Sequence, residues 1–329
     1  MAVGLPSLGA SSSKRANLHR AERPSVSKIV FRIALVCSGL VFGFIFTEIA
    51  LRIYYEDGGI PAAHLEHSSN EEYTTFHENE ECGYLPITSH GEYGPEGCLA
   101  NDYDVNNPKG TRVLFAGDSV THRARIIEAL KKLYSEQDYE YWNAGVESFN
   151  TLQEWVFYRE HNHAIKPDHV VLTFHNNDFR ATPMVVRERG QIKVYQPGLD
   201  INPWLFKKSY VYRWAWPKGE DRDKREQQVV EGLTGFRDAL KKDGTKFTIV
   251  LHPMLKPVSE WNDDEKRSRE LSLKYFDELG LQAIDLLPVL ETAIKDGIPL
   301  TEAPGDFLHP SDELSARFAE ELKKQKLLD

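Results

Sequence analysis

Two hydrophobic rhythms take turns along this chain. Val113 to Ala116 form a short apolar run, as a buried parallel strand does. After Gly117 and from Val120 the period becomes helical, with Ala124, Ile127 and Leu130 on one face and Arg125, Glu128 and Lys131 off it. Tyr139 to Trp142 give a second strand, followed by Asn143-Ala144-Gly145 and a helix over Thr151–His161 with Leu152, Trp155, Val156 and Tyr158 as apolar bulk. Asp168 to Phe174 is the clearest buried strand and ends in His175-Asn176-Asn177-Asp178. A helix from Asp223 to Lys242 stops at Gly244, a strand runs from Phe247 to Leu251, and a helix from Asp263 to Leu279 stops at Gly280. A weak strand over Gln282–Leu286, a short helix over Val289–Lys295 and a last helix from Ser311 complete the series. Asp312 and Glu313 stand in the first turn of that last helix, where the dipole favours acids. Strand and helix alternating in this way predict an α/β fold, with a parallel sheet covered by helices on both faces. In such sheets functional groups collect at the carboxyl ends of the strands.

Three stretches fall outside that alternation. Residues 179–220 hold Tyr195, Trp204, Phe206, Tyr210, Tyr212, Trp214 and Trp216 among scattered basic groups. They read as an insertion: a lid or sugar-stacking surface, a satellite hydrophobic cluster, or a lipid contact. Residues 1–28 are rich in Ser, Ala, Lys and Arg without an apolar period, and a disordered tail is expected there. Residues 29–55 are apolar, with no charge between Arg32 and Glu48. Extended to Val30 and Leu51, with those two charges reaching toward head groups, the run approaches the ~20 residues of a transmembrane helix. Lys14, Arg15, Arg20, Arg23 and Lys28 precede it against the single acid Glu22, so the N-terminus is expected in the cytoplasm and the bulk of the chain outside it. Thr-Glu-Ile-Ala-Leu-Arg after the run offers no convincing cleavage site for a signal peptidase.

The 329 residues, 41% of them hydrophobic, suffice for one α/β domain with appendages. Forty basic against fifty acidic residues leave a net charge of −10, which argues against nucleic acid as the partner. Cys37 lies in the apolar run. Cys82 and Cys98 lie beyond it in a Gly- and Pro-containing segment, where an oxidising compartment would let them form a disulfide. Residues 56–108 lack sustained periodicity and read as a stalk running into a catalytic domain at 109–329, with that bridge pinning part of it to the body.

The candidate chemistry gathers at strand ends. Ser119, in Gly117-Asp118-Ser119, stands where the first strand gives way to a helix, so its N–H is among the unpaired donors of a helix start. A hydroxyl there suits a nucleophile whose attack creates an oxyanion, although Asp118 or Ser119 capping the helix is the plainer role. Asp306 and His309 follow the fifth strand, spaced so that the carboxylate orients the imidazole within one turn. The N–H groups of Ser119 and Gly145 and the Asn177 amide offer three oxyanion donors. His252 also ends a strand on this edge, and His122 lies one turn beyond Ser119, so either could act as base, bind substrate or face solvent. His161 and His163 lack carboxylates or cysteines at ligand spacing, and no metal site is expected from them. No H-E-x-x-H, P-loop, G-x-G-x-x-G or G-x-S-x-G motif is present, and no cofactor is indicated.

Gly117-Asp118-Ser119, Gly145, His175-Asn176-Asn177-Asp178 and Asp306-Phe307-Leu308-His309 stand in the order of the blocks of the SGNH (GDSL-type) hydrolase superfamily, which the chain resembles from about residue 110 onward. The resemblance implies a three-layer α/β/α fold with a flavodoxin-like parallel sheet, Ser119 as nucleophile, His309 as base, Asp306 as its orienter, and Ser119, Gly145 and Asn177 as the oxyanion hole. His175 replaces the first Gly of the family's G-x-N-D block, and Val-Thr-His-Arg follows Ser119 in place of the usual Leu or Phe variants. These departures bear on substrate choice, for which His175, His252 and Trp204 are candidate binding residues. The function implied is a membrane-anchored extracytoplasmic esterase or O-acyltransferase acting on O-acyl, chiefly acetyl, esters of carbohydrate. Lipid esters are the alternative substrate, and a non-catalytic polysaccharide-binding scaffold is the alternative class.

Overall fold

Five parallel strands form the sheet of this computed structural model, which describes residues 26–54, 65–70, 76–88, 91–134, 137–188, 191–195, 202–215 and 222–329. They are β1 (Thr111–Gly117), β2 (Tyr139–Gly145), β3 (His169–Phe174), β4 (Lys246–Leu251) and β5 (Ala283–Asp285), in spatial order β5-β4-β3-β1-β2. This is the flavodoxin-like order, with its switch point between β1 and β3. The covering helices are α1 (Arg125–Leu133), α2 (Thr151–Glu160), α3 (Arg222–Asp243), α4 (Asp263–Glu278), α5 (Leu287–Asp296) and α6 (Asp312–Lys324).

Alternation along β1 separates the two layers. Val113 and Phe115 point to one face and pack with Ile127 and Leu130 of α1, Leu290 and Ala293 of α5, and Leu314 and Phe318 of α6. Leu114 and Ala116 point to the other and pack with Tyr158 of α2, Val229, Leu233 and Phe236 of α3, and Phe276 of α4. A strand buried on both sides has no polar face to offer, which is why β1 and β3 read as unbroken apolar runs.

The helix expected from Val120 is interrupted. Ser119–His122 make a single turn, Ala124 adopts a left-handed backbone (φ 58°), and α1 starts at Arg125. One turn sums few peptide dipoles, so the macrodipole contributes little at Ser119 and the unpaired N–H groups are what remain.

The chain divides into two units at Tyr54. The first contains the helix Val26–Tyr54, whose 29 residues span roughly 43 Å and are apolar enough to cross a membrane. Within it Arg52 pairs with Glu48 one turn away at 2.7 Å. The tail expected at 1–28 lies outside the described residues as far as residue 25.

In the second unit, part of the segment expected as a stalk packs against the body. A hairpin of Phe76–Asn79 and Gly83–Pro86 buries Phe76, Tyr84 and Leu85 with Phe149, Val156 and Phe157. The disulfide expected between Cys82 and Cys98 is not formed: both are free, buried thiols. Cys82 packs with the hairpin and donates to the Tyr84 carbonyl at 3.6 Å, whereas Cys98 packs beside Leu114 and Trp142 and accepts from Asn162 Nδ2 at 3.9 Å. Each fills a different apolar cluster, so the segment is held by burial where a covalent bridge was expected.

Within 179–220, strands Met184–Glu188 and Gln191–Tyr195 form a hairpin joined by Leu65–Asn70, followed by short helices Pro203–Lys208 and Tyr210–Ala215. The Arg213 guanidinium is buried over the rings of Tyr195, Phe206 and Tyr210 at 5.9, 5.5 and 4.8 Å. These aromatics therefore make a satellite cluster around a cation, while Trp204 and Trp214 stay exposed.

Gly145 ends β2 under the Ser119 turn, and a Cβ there would lie 2.3 Å from His122 N and 2.7 Å from the Thr121 carbonyl carbon. Both are backbone atoms that cannot rotate away. Gly145→Ala is therefore expected to cost about 3 kcal/mol or more, read as a fall in Tm; an unchanged Tm would contradict the packing of this turn on β2.

Candidate active site

The parallel register puts the ends of β1 and β2 side by side, Gly117 opposite Gly145, and the end of β3 on the other flank of β1. The loops after these strands share one rim. Ser119 starts the turn after β1, half-buried, with Asp118 capping it by accepting Val120 N–H at 2.9 Å. The loop carrying His309 reaches the same rim from 190 residues away.

His309 Nε2 lies 2.9 Å from Ser119 Oγ, and its Nδ1 lies 2.7 Å from Asp306 Oδ2. With Nδ1–H donating to the carboxylate, Nε2 is left as an acceptor facing the hydroxyl. The other Asp306 oxygen accepts the N–H groups of Leu308 and His309 at 2.8 and 3.1 Å. Burial alone would raise the Asp306 pKa, but these hydrogen bonds and the imidazole outweigh it and hold the carboxyl below its usual value.

Glu302 steadies this loop, a role invisible to motif reading. Its N–H donates to the His309 carbonyl at 3.1 Å, and its carboxylate pairs with Arg123 and, at 2.9 Å, with Arg125 Nε. The chain on the far side of the Ser119 turn is thereby tied to the loop that carries the imidazole. Glu302, Asp306 and His309 place ligand atoms within 4.8 Å of one another. Two guanidiniums already balance the charge of Glu302, and the Asp306 oxygens are taken by the imidazole and two backbone N–H groups, so the group reads as a hydrogen-bonded and ion-paired network.

The expected oxyanion donors are placed less uniformly. Ser119 N–H has no hydrogen-bond partner among the described residues and is available. Asn177 Nδ2 donates one hydrogen to Asp118 Oδ2, and among the described residues its second hydrogen and the buried Asn177 Oδ1 have no partner. Gly145 N–H is engaged, donating to Asn143 Oδ1 at 2.9 Å. Three residues on, Ser148 holds a left-handed backbone (φ 65°), and its N–H has no partner among the described residues. No sequence signal singled out Ser148, because a serine in this conformation looks like any loop serine.

The three candidate substrate-binding residues are not alike. His175 and His252 are 1% and 2% exposed, which leaves neither an open face for a ligand. His175 Nδ1–H donates to the His252 carbonyl at 3.0 Å, with the ring centroids 5.3 Å apart. Burial, helped by the neighbouring imidazoles, holds His252 well below the ordinary histidine range, and burial likewise lowers His175. Both are neutral rings behind the site. Trp204 is 67% exposed on the insertion. His122, the other histidine of the rim, pairs with Glu92 at 3.1 Å.

No family model matches the chain, and no curated protein matches it. Solved structures do resemble it. AlAXEase, an acetyl xylan esterase, shares 18% identity, with 65% of this chain and 98% of that one covered and a TM-score of 0.44. LAE5, an α/β hydrolase from the metagenome of Lake Arreo, Spain, shares 13%, covering 69% and 100%, with a TM-score of 0.46. Axe2, an acetylxylan esterase from Geobacillus stearothermophilus, shares 14%, covering 66% and 95%, with a TM-score of 0.43. Likenesses this distant carry no argument about activity, which has to come from the site itself.

Behind the rim lies a layer of buried acids. Asp178 accepts Thr151 Oγ1–H and His175 N–H, each at 2.6 Å, and so ties the start of α2 to the turn after β3. Burial pushes its carboxyl up to about 8 against those hydrogen bonds. Glu154, one turn into α2, is 3% exposed with neither oxygen hydrogen-bonded among the described residues. Burial first, then the nearness of Asp178 and Asp118, raises it well above the carboxylate range. An acid raised in this way keeps its proton in the folded state at a pH where the unfolded chain has lost it, so its contribution to stability falls as pH rises from the ordinary carboxylate value toward the folded one. Glu154→Gln replaces the protonated carboxyl with a neutral isostere. The Tm of this variant relative to wild type is expected to rise between about pH 5 and pH 8; a flat or falling difference would contradict a buried, protonated Glu154.

Proposed function

We propose that this chain is a membrane-anchored serine hydrolase of SGNH type that acts outside the cytoplasm on O-acyl esters of carbohydrate. The observation that carries the reading is the unbroken hydrogen-bond chain Ser119–His309–Asp306 at the carboxyl rim of the sheet.

Ser119 Oγ attacks the ester carbonyl carbon while its proton passes to His309 Nε2. The imidazolium that forms is held by Asp306, whose lowered pKa keeps it ionised. The carbonyl oxygen, now an oxyanion, accepts from Ser119 N–H and the second hydrogen of Asn177 Nδ2. Asp118 supports both donors, capping the Ser119 turn with one oxygen and fixing the Asn177 amide with the other. The third donor comes from the turn after β2. Gly145 N–H can serve there once Asn143 releases it, and Ser148 N–H has no partner among the described residues. Collapse expels the sugar alcohol, which takes the proton back from His309, and leaves an acyl group on Ser119. Water completes a hydrolysis, or a second sugar hydroxyl completes a transfer, through the same residues.

The carbohydrate ester follows the superfamily resemblance. Extracytoplasmic placement follows the apolar helix Val26–Tyr54 and the five basic residues that precede or begin it against one acid.

Hydrolysis of a chromogenic acetyl ester by the full-length protein is the direct test. Ser119→Ala is expected to lower kcat by about 10⁴-fold or more, and Asn177→Ala by about 10²–10³-fold. Equal rates for wild type and Ser119→Ala would overturn the reading; an unchanged rate for Asn177→Ala would remove that amide from the oxyanion hole.

A further inference from the structure

Trp204, Trp214, Leu273 and Phe307 are large apolar side chains that the second unit leaves in water. Single exposed apolar groups are ordinary on protein surfaces. Phe307 differs in where it stands and in how firmly it is held. It lies between Asp306 and His309, in the short stretch that carries both ends of the carboxylate–imidazole hydrogen bond, and it is 45% exposed.

The backbone around this residue is bonded on both sides. The Phe307 carbonyl accepts Leu255 N–H from the loop after β4 at 2.9 Å, and the next two N–H groups, those of Leu308 and His309, donate to Asp306 Oδ1. The ring itself lies against an ammonium group, with Lys256 Nζ 5.3 Å from its centroid. That ammonium is fixed in turn, because it pairs at 3.0 Å with Glu265 in the first turn of α4, and both of these side chains are largely buried. The Lys256 carbonyl accepts the indole N–H of the buried Trp261 at 3.0 Å. The aromatic ring is therefore seated on an ion pair anchored to a helix, yet stays open to water beside the imidazole.

A rigid apolar ring at the mouth of such a site can meet either part of an ester, the acyl chain or the alcohol. An acyl chain gains most by leaving water altogether, which calls for an enclosed apolar channel. Phe307 stands in the open next to a charged pair. A sugar ring suits that setting, since its C–H face can lie on the aromatic ring while its hydroxyls stay in water or reach polar groups.

We propose that Phe307 is a substrate-binding platform on which the saccharide part of the ester stacks, so that the acyl group it carries is presented to Ser119. The substrate class rests on the esterase reading, but the stacking contact can be measured without turnover.

The test is calorimetric binding of an acetylated xylo-oligosaccharide to full-length Ser119→Ala protein. Adding Phe307→Leu, which keeps apolar bulk but removes the ring, is expected to weaken binding about tenfold. Adding Phe307→Tyr, which keeps the ring, should leave the affinity within about twofold, and the Tm of each variant checks that it is folded. With Ser119 intact, the ratio of kcat/KM for chromogenic octanoyl over acetyl esters reads the acyl side of the site. A fall of that ratio in Phe307→Leu with saccharide binding unaltered would give the ring to the acyl chain and overturn the proposal. Absence of saccharide binding, or equal affinity with and without Phe307→Leu, would overturn it too. Ester hydrolysis that depends on Ser119 alongside either of those results would defeat this inference alone. Saccharide binding that depends on the ring, in a protein with no hydrolysis dependent on Ser119, would support the platform and defeat the esterase reading.

Discussion

Two hydrogen bonds made by one imidazole are the interaction on which the functional account depends. His309 joins Ser119 on one side and Asp306 on the other, at 2.9 and 2.7 Å, and nothing local in the chain brings the hydroxyl to the ring. Their meeting is a consequence of topology. Parallel strands send all their carboxyl ends to one rim, where the 2-1-3-4-5 order puts the turn after β1 next to the turn after β3 with its Asn177. The loop of His309 is tied to the loop after β4 by Leu255 N–H donating to the Phe307 carbonyl at 2.9 Å. The apolar layers on both faces fix that rim without taking part in any chemistry.

Around the imidazole the structure adds supports that act through other residues. Asp118 caps the Ser119 turn and holds Asn177, so one carboxylate sets the positions of the two donors proposed for the oxyanion. Glu302, gripped by Arg123 and Arg125, ties the segment after Ser119 to the loop of His309. Behind them sit two neutral histidines and two carboxyls that burial keeps protonated above their ordinary range. Low-dielectric surroundings strengthen the charge interactions in front of them and penalise any further ionisation behind.

Much of this was legible in the sequence, because period and strand ends are local signals. The runs at Val113–Ala116 and Asp168–Phe174 announced buried strands, and Gly244 and Gly280 marked helix ends within a residue or two. The i, i+3 spacing of Asp306 and His309 is a local fact, and their hydrogen bond is seen. What stayed hidden depends on contacts between distant segments. The break at Ala124 lies inside a sound helical period, and its left-handed backbone goes with no sequence mark. Cys82 and Cys98 looked like a pair because both follow the apolar run, yet packing sends them to different clusters. Gly145 matched an oxyanion glycine by position, but its N–H is spent on Asn143 and its missing side chain makes room for the Ser119 turn. His175 and His252 looked presentable to substrate because strand ends are usually open, and burial closes them off.

The central claim is that the Ser119 hydroxyl is made reactive by His309, and covalent labelling reads this directly. A fluorophosphonate probe should form a phosphonyl ester on Ser119 Oγ with loss of fluoride, found by mass spectrometry on the peptide that contains residue 119. Labelling should slow by orders of magnitude in His309→Ala protein that remains folded. No adduct at Ser119 in the wild type, or equal labelling with and without the imidazole, would contradict the account.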